Sequence, residues 1–213
     1  MTDAVDSDLQ AIRLALTGRV VLVTGGVRGV GAGISKVFAD QGATVVTCAR
    51  RPVEGLPYDF HPCDIRDDES VKALVAAIVA DHGRLDVVVN NAGGSPYVLA
   101  ADASAKFSTK IIELNLLGAL SVSTHANAVM QTQDSGGAIV NISSVSGHRP
   151  TPGTAAYGAA KAGGGRSPKQ SRLGSDIASR RPDRRGRRRA PEPGRLPVPE
   201  LPRQARRRRR RPV

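Results

Sequence analysis

Residues 19–24, Arg-Val-Val-Leu-Val-Thr, form a short β-branched apolar run that ends in glycines, the pattern of a strand buried on both faces. Residues 29–41 then read as a helix, with Ile34, Val37 and Phe38 on one stripe and Gly42 as the stop. Two more strands are expected at 43–48 and 58–63. Asp67 is placed to cap a helix running to His82, whose apolar residues Val71, Leu74, Val75 and Ile78 recur at helical spacing. A fourth strand at 85–90, a long helix over roughly 104–133 and a fifth strand at 138–143 complete the pattern.

Strands alternating with helices in this rhythm predict parallel β-α units and a doubly wound α/β sheet of the Rossmann type, incomplete at about five strands. The expected organisation is an N-terminal extension over 1–16, a nucleotide-binding domain carrying all the candidate chemistry over 17–162, and a basic tail over 163–213.

Charge sharpens that division. The chain of 213 residues has a formal net charge of +12. Seventeen Arg and one Lys against four acids put +14 of it in residues 163–213, leaving −2 for everything before. The tail also holds 8 Pro and no aromatic residue, so it is expected to lack the apolar surface that offsets ordering entropy. Two cysteines, Cys48 and Cys63, make neither a disulfide framework nor a metal cluster. The acidic first ten residues do not read as a signal peptide, and no apolar run reaches the roughly 18 residues of a spanning helix, so a cytoplasmic protein with no membrane partner is expected.

After the first strand stands Thr24-Gly25-Gly26-Val27-Arg28-Gly29-Val30-Gly31. Glycines on a strand-to-helix turn let backbone N–H groups approach a pyrophosphate at the positive end of the helix dipole. The other reading is a tight turn in an α/β protein; its place in the first β-α unit favours a dinucleotide.

The spacing Gly-x-x-x-Gly-x-Gly, with Asn90-Asn91-Ala92-Gly93 after the fourth strand, resembles the short-chain dehydrogenase/reductase family. Asp64, Asn115, Ser144 and Tyr157-x-x-x-Lys161 extend the resemblance over about residues 17–162. It implies an oxidoreductase that interconverts a carbonyl and a secondary alcohol by hydride transfer. Tyr157 would exchange the proton with the substrate oxygen. Lys161 would lower the Tyr157 pKa and hold the nicotinamide ribose. Ser144 would hydrogen-bond the reacting oxygen, and Asn115 would keep a water behind Lys161. Asp64 and Ile65 would lie at the adenine, and Asn91, Ala92 and Gly93 along the ribose. His148, Arg149 and Pro150, with Ser95, Pro96 and Tyr97, fall where relatives line the substrate cleft; a loop-packing role for Tyr97 stays open. Relatives that use NAD place an acid at the end of the second strand. Here that end reads Cys48-Ala-Arg50-Arg51, with Arg28 nearby, so NADP(H) is expected over NAD(H).

The pattern breaks at Gly163. Three glycines and Pro168 are expected to end the Tyr157–Lys161 helix, leaving Lys161 in a fraying last turn. The fifth strand would become an open sheet edge, and the homo-oligomer seen among relatives is doubtful here. The switch to Arg, Pro, Gly and Ala reads as a shifted reading frame beginning near Gly163, which resequencing the DNA would settle. Two other functions stay open: a truncated chain that binds dinucleotide without turnover, and a non-specific polyanion or nucleic-acid binder acting through Arg206 to Arg211.

Overall fold

A computed structural model describes residues 16–165. All of the basic tail beyond Gly165, its expected disorder and nearly all of the N-terminal extension lie outside the described residues. Five strands, β1 (Val20–Thr24), β2 (Thr44–Ala49), β3 (Asp59–Pro62), β4 (Val87–Asn90) and β5 (Ala138–Asn141), form one parallel sheet in the order β3-β2-β1-β4-β5. Register runs from Val20 opposite Thr44 and from Val21 opposite Val87, so the carboxyl ends of β1, β2 and β4 finish together. The chain order reverses between β1 and β4. That is the crevice where open α/β sheets bind ligands.

Alternation along β1 feeds two cores. Val21 and Val23, with Val45 and Val89, pack against Ile34 and Phe38 of α1 (Gly29–Asp40). Leu22 and Val46 face the other way, onto Val71, Leu74, Val75 and Ile78 of α2 (Asp68–His82) and Val122, Ala126 and Met130 of α4 (Gly118–Met130). Each fully buried Val or Leu contributes about 1.5–3 kcal/mol relative to exposure, which is how a near-continuous apolar strand specifies a central position. Asp67 caps α2 as expected, its carboxylate accepting from the Glu69 N–H at 3.2 Å. Gly83, at φ +73°, ends the same helix.

The expected long helix is three pieces. Ser104 caps α3 (Ala105–Ile112), a π-helical turn occupies Glu113–Leu117, and α4 follows without a break in direction of the chain's hydrogen bonding. A π turn inserts one residue into the helical repeat, and single-turn insertions of this kind are common at functional sites. Asn115 sits inside it.

The largest departure from expectation is α5 (Ala155–Gly165), which carries Tyr157 and Lys161 and continues through all three glycines. Propensity alone disfavours each glycine by about 1 kcal/mol against Ala. Close packing overrides it. Gly163 lies against Leu116 of the π turn, and one turn before Lys161 Gly158 lies against the Ser146 carbonyl, where a Cβ would come within 2.6 Å. Lys161 is consequently buried at 7% exposure, in the interior of the fold instead of a fraying end. Gly164 faces open space at its missing Cβ. Gly164→Ala should therefore raise stability by about 0.5–1 kcal/mol, read as a higher denaturation midpoint with an unchanged slope.

Among the described residues β5 is an edge strand, and three of its four residues are exposed. No helix of the described residues is long and apolar enough to cross a membrane.

Candidate active site

The turn between β1 and α1 is built from unlike glycines. At Gly29, φ is +54° and nothing stands within 4 Å of where a Cβ would be. At Gly31 a Cβ would collide with the Gly25 carbonyl and meet the Asn91 amide at 2.5 Å, so this glycine packs the helix onto the turn. Arg28 is the N-cap of α1 and makes no side-chain capping bond, and the first turn carries no acid. The first-turn N–H groups thus have no side-chain acceptor. Free of side-chain acceptors and beside an uncrowded Gly29, the helix start fits a pyrophosphate.

The Asn-Asn-Ala-Gly segment is tied to that turn. Thr24 Oγ1 accepts from the N–H groups of Asn91 and Ala92, both at 3.1 Å. The Asn91 side chain donates back to the Thr24 and Gly25 carbonyls at 3.0 and 3.2 Å. Val27, Val30 and Ala92 complete this rim without polar side-chain contacts of their own.

On the β2–β3 side, Asp64 is not free. Arg66 donates to it from Nε at 2.9 Å and from Nη2 at 2.5 Å, a bidentate pair. The Arg66 guanidinium holds the Asp64 carboxyl below the usual carboxylate range, with burial opposing and Arg50 adding a smaller attraction. Sequence reasoning passed over Arg66, although its place two residues after Asp64 was a visible signal. Ile65 is buried in the core beneath. Arg28, Arg50 and Arg51 are exposed, and none of them forms an ion pair with another described residue.

Asn115, Gly93, Lys161 and Tyr157 come together. Asn115 Oδ1 accepts from the Gly94 N–H at 2.8 Å, and its Nδ2 donates to the Gly94 and Ile111 carbonyls, both at 2.9 Å. A Cβ on Gly93 would lie 2.5 Å from Asn115 Oδ1 and 3.4 Å from Lys161 Nζ, so both groups crowd around that glycine. Lys161 Nζ donates to the Ile142 carbonyl at 2.8 Å and stands 5.8 Å from the centroid of the Tyr157 ring. Burial pushes the Lys161 ammonium below the ordinary lysine range. Ser144 begins the short turn Val145–Gly147, with its hydroxyl accepting from the Ser146 N–H at 3.3 Å.

Of the expected cleft residues, His148 contacts the Ser144 carbonyl at 3.2 Å through Nδ1. The Val98 N–H donates to the Gly153 carbonyl at 3.1 Å, and the Tyr97 ring lies against Gly153 while remaining 69% exposed. Tyr97 therefore packs one loop on another and still faces solvent. Arg149 and Pro150 are exposed.

Known proteins resemble this chain in sequence and fold. The short chain dehydrogenase family profile matches residues 19–166. The chain is 38% identical to an L-fucose dehydrogenase of Bos taurus over 138 residues, covering 61% of this chain and 50% of that one. It is 34% identical to a 3-oxoacyl-(acyl-carrier-protein) reductase of Thermotoga maritima over 161 residues, 70% of this chain and 65% of that one. Its fold matches the aldohexose dehydrogenase of Thermoplasma acidophilum with a TM-score of 0.65 at 33% identity, over 69% of this chain and 57% of that one. The chain thus spans about half to two thirds of the length of these relatives. From the glycine turn to the Tyr157–Lys161 helix, sequence and fold agree: this chain belongs to the short-chain dehydrogenase/reductase family of oxidoreductases.

Proposed function

We propose that this chain binds NADP(H) across the β1–β4 crevice and interconverts a small-molecule carbonyl and its secondary alcohol. The observation that carries the reading is the gathering of Asn115, Gly93, buried Lys161 and Tyr157 beside the glycine turn. When bound, the nicotinamide supplies or accepts the hydride. The residues of the chain do the rest. Gly29 and the first-turn N–H groups of α1, with Gly25 and Gly26, hold the pyrophosphate; Asn91, Ala92 and Gly93 border the ribose, and Asp64 and Ile65 the adenine.

Tyr157 gives its proton to, or takes it from, the reacting oxygen. A phenol ordinarily titrates near 10, so it needs a cation to act near neutrality. Lys161, held 5.8 Å from the ring, supplies that cation and favours the phenolate by charge attraction. Its anchor on the Ile142 carbonyl keeps the ammonium in place, since burial alone would favour losing the charge. Ser144 offers a hydroxyl to the same substrate oxygen. Asn115, through its bonds to Gly94 and Ile111, fixes the loop on which Gly93 stands.

Preference for NADP(H) follows from the end of β2, where the chain carries Arg50 and Arg51 and no acidic residue. A guanidinium forms charge-assisted, bidentate bonds with a 2′-phosphate. Fluorescence titration of the full chain should give tighter binding of NADPH than of NADH. Arg50→Glu should weaken NADPH by about 10–100-fold, the worth of hydrogen bonds to a charged group, and leave NADH nearly unchanged. Equal affinity of the unaltered chain for the two cofactors would remove the argument for NADP(H). Relatives named for L-fucose, aldohexose and 3-oxoacyl-(acyl-carrier-protein) define the first carbonyl panel to assay.

A further inference from the structure

Strands β2 and β3 run parallel, so their carboxyl ends finish at the same rim of the sheet. Ala49 stands opposite Pro62, and the ladder goes one step further: the Cys63 N–H donates to the Ala49 carbonyl at 3.0 Å. Arg50 follows β2 there and Asp64 follows β3, which brings a guanidinium and a carboxylate to one rim. Arg50 attracts that carboxylate. An uncovered Asp64 would compete for Arg50 and would also repel a phosphate placed beside it.

Arg66 covers Asp64. The Asp64 carbonyl accepts from the Asp67 N–H at 2.9 Å, which closes a tight turn. Ile65 seats that turn on the start of α4, where a Cβ on Gly118 would come within 2.9 Å of the Ile65 carbonyl. Held in this way, the Arg66 side chain folds back on Asp64. Oδ1 accepts from the Arg66 N–H at 3.1 Å and from Nε at 2.9 Å, and Oδ2 accepts from Nη2 at 2.5 Å. A planar fork reaches both oxygens at once, which an ammonium cannot do. Glu113 of the π turn attracts the same guanidinium more weakly. A carboxylate has about four acceptor positions, so the three bonds leave one on Oδ2, enough for an adenine amino group.

We propose that Arg66 is a specificity-determining residue: it neutralises Asp64 and thereby leaves Arg50 to the 2′-phosphate of NADPH. The inference rests on the dinucleotide reading given above. Arg66 acts through Asp64 and Arg50 and meets no reacting atom, so it is a positioning residue.

Fluorescence titrations of the full chain with NADPH and with NADH, before and after Arg66→Gln, test this. The substitution should lower the ratio of NADPH to NADH affinity by about 3–10-fold, the effect of one uncovered charge across a solvated rim. An exposed pair adds little to stability, so melting should be unchanged. Asp64→Asn combined with Arg66→Gln removes the charge that needs covering and should return the ratio to that of the parent. An unchanged ratio in Arg66→Gln, equal weakening of both cofactors, or a ratio that stays low in the double variant would overturn the proposal. Equal binding of the two cofactors by the parent, with the ratio still falling in Arg66→Gln, would count against the NADP(H) preference alone. A chain that binds neither cofactor would remove both.

Discussion

Tyr157→Phe should lower carbonyl reduction by roughly 10²–10⁴-fold, the span that one well-placed proton-transfer group contributes. The substitution removes a single oxygen from a half-buried side chain, so fold and dinucleotide affinity should survive. Both controls matter. A loss of turnover with unchanged NADPH titration and unchanged melting isolates proton exchange as the lost step. The Lys161 ammonium stays anchored on Ile142 in the variant, so no buried cation is released to confuse the result. Activity within a factor of about ten of the parent would mean that another group moves the proton.

The second large effect belongs to Gly31. Its missing Cβ is the space in which the Gly25 carbonyl and the Asn91 amide sit, and Asn91 in turn donates to Thr24 and Gly25. Gly31→Val drives a branched side chain into that junction between β1, α1 and the segment after β4. Overpacking of this kind costs typically about 1–3 kcal/mol. The turn must also shift, so NADPH binding should be lost beyond what the stability change explains. Gly33, on the same helix, faces open space and provides the control: Gly33→Ala should bind as the parent does. Parallel retention of affinity in both variants would show that the turn does not hold the nucleotide.

The features read correctly from sequence are those set by a few neighbouring residues. The β1 run Val20–Thr24, the Asp67 cap and the glycine turn each have a local physical cause, and each is found where expected. Tertiary causes were hidden. Nothing in the period of residues 104–133 distinguishes a π turn at Glu113–Leu117 from a continuous α-helix, because the insertion shifts the repeat by one residue only. Propensity predicted that α5 would break at Gly163. The helix continues to Gly165, with Gly163 packed against Leu116, a contact more than ten residues away in sequence. Within the site, the residue types were legible but their partners were not. Asp64 meets Arg66, Lys161 meets the Ile142 carbonyl, and Asn115 is fully engaged by backbone. Where propensity alone would leave a fraying turn, Lys161 is buried and anchored four residues from Tyr157.

Transfer of label from 4-deuterated NADPH tests the central claim most directly. The full chain, incubated with the reduced cofactor and each member of the carbonyl panel, should place deuterium on the carbinol carbon of at least one product, and Tyr157→Phe should not. If the chain binds NADPH and no deuterium reaches carbon in any product, it does not catalyse the hydride transfer proposed for it.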